Sequence, residues 1–109
     1  MTASKLYPVC NTTKWQELRI AILGLPANER PEFRNETLKG FVSTYDREWF
    51  YHFYDSDYAD ILHVDIRSPT ETCDQQVREL IDHIGLVVAR QEPLVWRVYG
   101  YVDNPPASP

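Results

Sequence analysis

With 109 residues, 43% hydrophobic and 25% charged, the chain has the composition of one folded domain and not that of a disordered or fibrous polymer. Its net charge of −5 argues against a surface that attracts phosphate backbones, so direct nucleic-acid binding is not expected. No window approaches the length of a membrane span and no apolar leader follows Met1, so the protein is expected to be cytoplasmic. Its two cysteines, Cys10 and Cys73, do not make a disulfide framework and are expected as free, part-buried thiols.

In chain order, the first helix is expected to begin at Thr13, where Thr13-Lys14-Trp15-Gln16 offers a capping box. Trp15, Leu18, Ile22 and Leu25 recur at helical spacing, and Gly24 followed by Pro26 supplies a stop. A loop and then a short strand around Phe33 to Leu38 follow. Glu48 to Tyr54 reads as a strand because aromatics suit a pleated surface. Asp55-Ser56-Asp57-Tyr58 has turn chemistry, and Ala59 to Ile66 alternates as a second strand. Pairing Tyr54 with Ala59 makes a hairpin whose inner face carries Trp49, Tyr51, Phe53, Leu62, Val64 and Ile66. Its outer face then carries Phe50, His52, Tyr54, Ile61, His63 and Asp65.

The second helix is expected to be capped by Ser68, with Pro69 at its first position and Glu71 completing a capping box. Cys73, Val77, Leu80, Ile81 and Ile84 form its buried stripe and Gly85 ends it. A short apolar run, Leu86 to Ala89, leads to a polar turn, and a last strand is expected from Leu94 to Val102. The predicted fold is α+β, in the order α-β-β-β-α-β, with a mostly antiparallel sheet and two helices on one face. Residues 1–104 form the single domain, and 105–109 form an extended proline-rich tail.

Charge is not spread evenly. From Phe41 to Ile66 there are six acids against one base, so this segment carries the whole net charge, together with eight of the 14 aromatic residues. Tyrosines on an uncovered sheet face suit protein recognition, since a rigid ring supplies contact area at low entropy cost; the same rings can also pack under loops. Tyr54, Asp55, Asp57, Tyr58 and Asp60 at the expected hairpin tip are the leading contact candidates, followed by Glu48, Phe50, His52 and Tyr99.

Chemistry finds less support. His52 and His63 with Asp65 or Cys73 could be written as a metal site, but their spacing matches no metal motif and Cys73 belongs to a buried helical stripe. No nucleophile elbow or phosphate-binding glycine loop occurs, and the acid pairs Asp46/Glu48 and Asp55/Asp57 sit where charged residues are usually solvated. No catalytic residue, no metal and no cofactor is assigned.

The segments Asn11-Thr12-Thr13-Lys14-Trp15-Gln16-Glu17-Leu18-Arg19, Asp46-Arg47-Glu48-Trp49-Phe50-Tyr51-His52-Phe53 and Arg97-Val98-Tyr99-Gly100-Tyr101-Val102 resemble a family of small bacterial proteins classed as a domain of unknown function. Arg47 departs from the Asp-Gly-Glu-Trp pattern of that family. Proteins of this type are similar to immunity proteins of polymorphic toxin systems, of the type VI or Rhs-like kind. The resemblance implies a non-enzymatic protein that binds and neutralises a cognate toxin in the cytosol, such as a nuclease or an ADP-ribosyltransferase with a basic cleft. The acidic aromatic hairpin would block that cleft. The alternatives are a regulatory or adaptor module that binds another protein and, behind it, a small hydrolase.

Overall fold

The structure is a computed structural model that describes residues 6–49 and 58–103. It contains β1 (Tyr7–Pro8), α1 (Thr12–Leu23), β2 (Glu32–Thr37), β3 (Ile61–Arg67), α2 (Glu71–Ile84), β4 (Val88–Glu92), β5 (Val95–Tyr99) and β6 (Tyr101–Val102). Four strands form an antiparallel sheet in the order β2-β3-β5-β4, and β1 pairs with β6 in a second, two-stranded sheet. The expected α+β class, with two helices and antiparallel pairing, is what is found.

Both helices start at a different oxygen from the one expected. Asn11, and not Thr13, caps α1: its Oδ1 accepts from the Lys14 N–H at 2.8 Å. Thr70, and not Ser68, caps α2, with Oγ1 accepting from the Cys73 N–H at 3.1 Å. The buried stripes are as expected, Trp15, Leu18 and Ile22 on α1 and Cys73, Val77 and Ile81 on α2. They pack on Phe33, Ile61, Val64, Ile66 and Val98 of the sheet to form the core. Arg30 closes the C-terminal end of α1 by donating to the carbonyls of Leu23 and Leu25 at 2.8 and 3.1 Å.

The expected hairpin is the main correction. β3 is a central strand, paired with β2 on one side and with β5 on the other, so no edge is left for Glu48 to Tyr54. Glu48 and Trp49 lie outside any strand, and positions 50–57 fall outside the described residues. Trp49 still enters the core, as expected of an inner-face residue, but it does so from a loop. Its Nε1–H donates to the Pro31 carbonyl at 2.8 Å and its ring lies 4.6 Å from that of Phe33.

β3 also changes phase. The pairing register slips between Glu36 and Thr37, so that Glu36 faces His63, Thr37 faces Ile61, and Leu62 is the extra residue of a bulge. The slip turns Ile61 to the core side, where it is 1% exposed, instead of the outer face expected from strict alternation. It also sends Leu62 to the opposite side.

The last strand is interrupted. Gly100 separates β5 from β6, and a Cβ there would lie 2.2 Å from the Ile61 carbonyl oxygen, so only glycine fits. Its N–H donates to the Leu62 carbonyl at 2.8 Å, and its own carbonyl accepts from the Val9 N–H at 2.9 Å, joining the two sheets. The apolar run after α2 becomes part of β4, an edge strand that hairpins onto β5 through Pro93 and Leu94. On the helix side of that hairpin, Arg90 stacks 4.0 Å over Trp96 and grips Asp74 of α2 with two hydrogen bonds of 2.7 and 3.0 Å.

Candidate functional site

Because Val64 and Ile66 point to the helices, His63, Asp65 and Arg67 point away from them, and register places a partner on each side. Three cross-strand rows result. Arg34, Asp65 and Arg97 form one, Glu36, His63 and Tyr99 the next, and Glu32 lies opposite Arg67 in the third. Residues of three strands that are remote in sequence are thereby assembled on the face opposite the helices.

Asp65 sits at the centre of this face. Arg97 holds it with two hydrogen bonds, Nε to Oδ1 at 2.8 Å and Nη2 to Oδ2 at 3.2 Å, while Arg34 Nη2 reaches Oδ2 at 2.9 Å. Burial alone would raise the Asp65 carboxyl, but the hydrogen bonds from Arg97 and Arg34 outweigh it and leave its pKa below the ordinary carboxylate value. Both carboxylate oxygens are engaged by guanidinium groups that remain partly in water. Tyr45 lies over these arginines, with the guanidinium carbons of Arg67 and Arg34 at 3.8 and 4.6 Å from its ring centre. At the end of the sheet, Arg67 also reaches Glu32 at 3.0 Å.

His63 occupies the next row. Its Nε2 lies 3.3 Å from Glu36 Oε1, and its Nδ1 lies 4.0 Å from Asp65 Oδ1 without a hydrogen-bond partner. Burial and the positive charge of Arg97 lower the pKa of this imidazole despite the two carboxylates. The ring is therefore neutral at neutral pH, and its contact with Glu36 is not an ion pair there. Tyr99 meets the same ring edge-on, with centres 6.4 Å apart. Beside them Leu6, Leu62, Tyr99, Tyr101 and Val102 wall an open groove of about 440 Å³, into which His63 and Asp103 also reach.

Of the residues singled out from sequence, Tyr99 belongs to this site. Asp60 and Glu48 are exposed, Asp60 at the end of the short turn before β3 and Glu48 in the loop after Asp46, whose Oδ1 accepts from the Glu48 N–H at 2.7 Å. Tyr58 is corrected: it is 7% exposed and packs in the core, because the turn that carries it folds against α1 and is not a hairpin tip. Phe50, His52, Tyr54, Asp55 and Asp57 lie outside the described residues. Arg34, Tyr45 and Arg97 are not among the contacts expected from the sequence. The signal for the arginines is a lone Asp65 in a central strand whose two neighbours each carry one arginine.

A metal arrangement joining His63 to Cys73 is ruled out by the fold, since Cys73 faces the core from α2 and donates to the Glu29 carbonyl at 3.0 Å. No cluster of three or more metal-ligating side chains occurs among the described residues. Both cysteines are free, and burial raises the pKa of each, that of Cys10 to about 12.

Residues 1–105 match a family of unknown function (DUF6678). The chain belongs to that family. The match takes in all of the strands and helices above, so the three-row face and the groove both lie within the DUF6678 region. No curated protein and no solved structure matches the chain. No helix among the described residues is long and apolar enough to cross a membrane.

Proposed function

We propose that this protein is a non-catalytic binder of the immunity type, which neutralises a cognate protein toxin in the cytosol by occupying its active-site cleft. The observation that carries this reading is the outer face of the sheet. Its charged rows are locked by mutual hydrogen bonds, tyrosines flank them, and no described helix lies over them. A face ordered before binding loses little side-chain entropy on contact, which favours tight association. Asp65 has both oxygens held by arginines and so serves rigidity better than proton transfer.

Charge supports the choice of partner. The segment from Phe41 to Ile66 carries the net charge of −5, and Glu48 and Asp60 stand exposed within it. Toxins that handle nucleic acids or nucleotides present basic clefts, and an acidic surface speeds encounter with them. The same face would serve an adaptor that binds another protein, and the neighbouring gene distinguishes the two.

The decisive experiment expresses the product of the neighbouring toxin gene with and without this chain, and measures both cell survival and binding of the purified proteins. Protection and a complex are expected, with Tyr99→Ala weakening the complex about tenfold. Cells that die equally fast with this chain present, and proteins that do not associate, would overturn the proposal.

A further inference from the structure

Large apolar side chains left in water are concentrated at one place on the described surface. Leu38, Phe41 and Val42 are 43%, 68% and 50% exposed and fall within one turn, whereas exposed Leu6 and Ile20 stand apart from it in sequence. The turn leads from β2 into a segment that bridges back to it through Val42 and Glu36 and through Asp46 and Phe33. It is closed by a set of hydrogen bonds. The Thr37 N–H donates to the Phe41 carbonyl at 2.9 Å, the Phe41 N–H to Thr37 Oγ1 at 3.2 Å, and the Gly40 N–H to the Thr37 carbonyl at 3.0 Å. The Leu38 N–H donates to the Asp60 carbonyl at 2.9 Å, which ties the turn to the residues before β3. Gly40 has φ +87°, a left-handed conformation that a residue with a side chain would hold only under strain.

A turn braced in this way holds Phe41 in water at a steady cost in exposed apolar surface. We propose that Phe41 and Val42, with Leu38 beside them, form an apolar anchor that the protein inserts into a socket on its protein partner. The inference rests on the binding reading above and shifts the main energetic contact from the acidic residues to this turn. An exposed aromatic ring gains most where a concave pocket encloses it, as interface hot spots do.

The charges around the turn select the occupant. Lys39 is its one base, while Asp60 is exposed against its backbone and Glu36 stands at its foot. With a net charge of −5, the chain is repelled by anionic lipid, and one lysine is far short of a basic cluster that would hold a membrane. Two copies meeting tip to tip would bring the same carboxylates together. A partner with an apolar socket and a basic rim satisfies both the rings and the acids. By register, Val42 lies opposite Glu36 and so shares the face that carries His63 and Tyr99, while Phe41 lies opposite Thr37 at the same end of the sheet, so a partner that takes in this end meets both.

The test is the double variant Phe41→Ser/Val42→Ser, whose melting temperature is expected to match the parent because both side chains are exposed. The probe is the purified, catalytically inactivated product of the neighbouring toxin gene, titrated against each form. Weakening of about tenfold or more, with the salt dependence unchanged, is expected, since no charge is removed. Equal affinity of the two forms would overturn the anchor and leave the binding reading standing. Failure of the unaltered chain to bind would overturn that reading and the anchor with it. Sedimentation and flotation with phosphatidylglycerol vesicles complete the test: self-association or vesicle binding that the double variant abolishes would assign the turn to another occupant and overturn the proposal.

Discussion

Val64 and Asp65 are neighbours in β3 and are almost equally inaccessible, at 0% and 1%, yet they are buried by opposite means. Val64 is covered by the two helices, whose apolar stripes close over it. Asp65 is covered by Arg34 and Arg97, long side chains that hydrogen-bond to it and keep part of their own surface in water. The first kind of burial gains free energy from apolar area removed from water. The second gains little net energy, because desolvation of the charges offsets much of their attraction, and what it supplies is a fixed arrangement. One strand thus carries stability on one face and shape on the other.

The comparison is sharpest under substitution. Ile66→Ala removes a fully buried side chain from the helix-covered face and is expected to cost about 3 kcal/mol in urea unfolding. A cost below that of an exposed site would mean that the helices do not seal this face. Arg97→Met leaves Asp65 with Arg34 as its remaining guanidinium partner and is expected to cost less, about 1–2 kcal/mol, because the site is partly wet and Arg34 still neutralises the carboxylate. If the variant were more stable than the parent, the charged rows would be retained at the expense of stability, and their value would lie in recognition alone.

The smallest effect concerns pH. The pKa of His63 lies below its ordinary value of 6.5, so between the two values the unfolded chain binds more protons than the folded one. Stability is therefore full above pH 6.5 and declines as the pH falls toward the folded value. Asp65, also depressed, acts in a separate window that starts below 3.8. His63→Gln should flatten the first decline and leave the second, and unfolding curves collected across mildly acidic pH would show it. An undiminished slope in the variant would place the titrating group elsewhere.

The helices were legible because their stripes repeat at a period that few other arrangements produce, and Gly85, at φ +81°, ends α2 as expected. Their first residues were not, since Asn11, Thr12 and Thr13, or Ser68 and Thr70, offer competing oxygens and the packing of the helix decides among them. The hairpin was misread for a different reason. Local alternation shows that Ile61 to Arg67 is a strand, but its neighbours come from Glu32–Thr37 and Val95–Tyr99, and no local pattern announces a pairing over that distance. β4 was missed as a strand because Arg90, Gln91 and Glu92 make an edge that reads as a polar turn. At the site, the place of Tyr99 was legible as that of a tyrosine on the uncovered face of the sheet. Arg34 and Tyr45 could not be, because their roles exist only once β2 lies beside Asp65.

The pairing of Tyr7 with Val102 and of Pro8 with Tyr101 brings together the two ends of the described chain. In synthesis from the N-terminus, the strand at Tyr7 must wait for more than ninety residues before its partner at Val102 exists. Of the described strand pairs it closes the longest loop for the fewest paired residues, so this clasp is expected to fasten after the central strands.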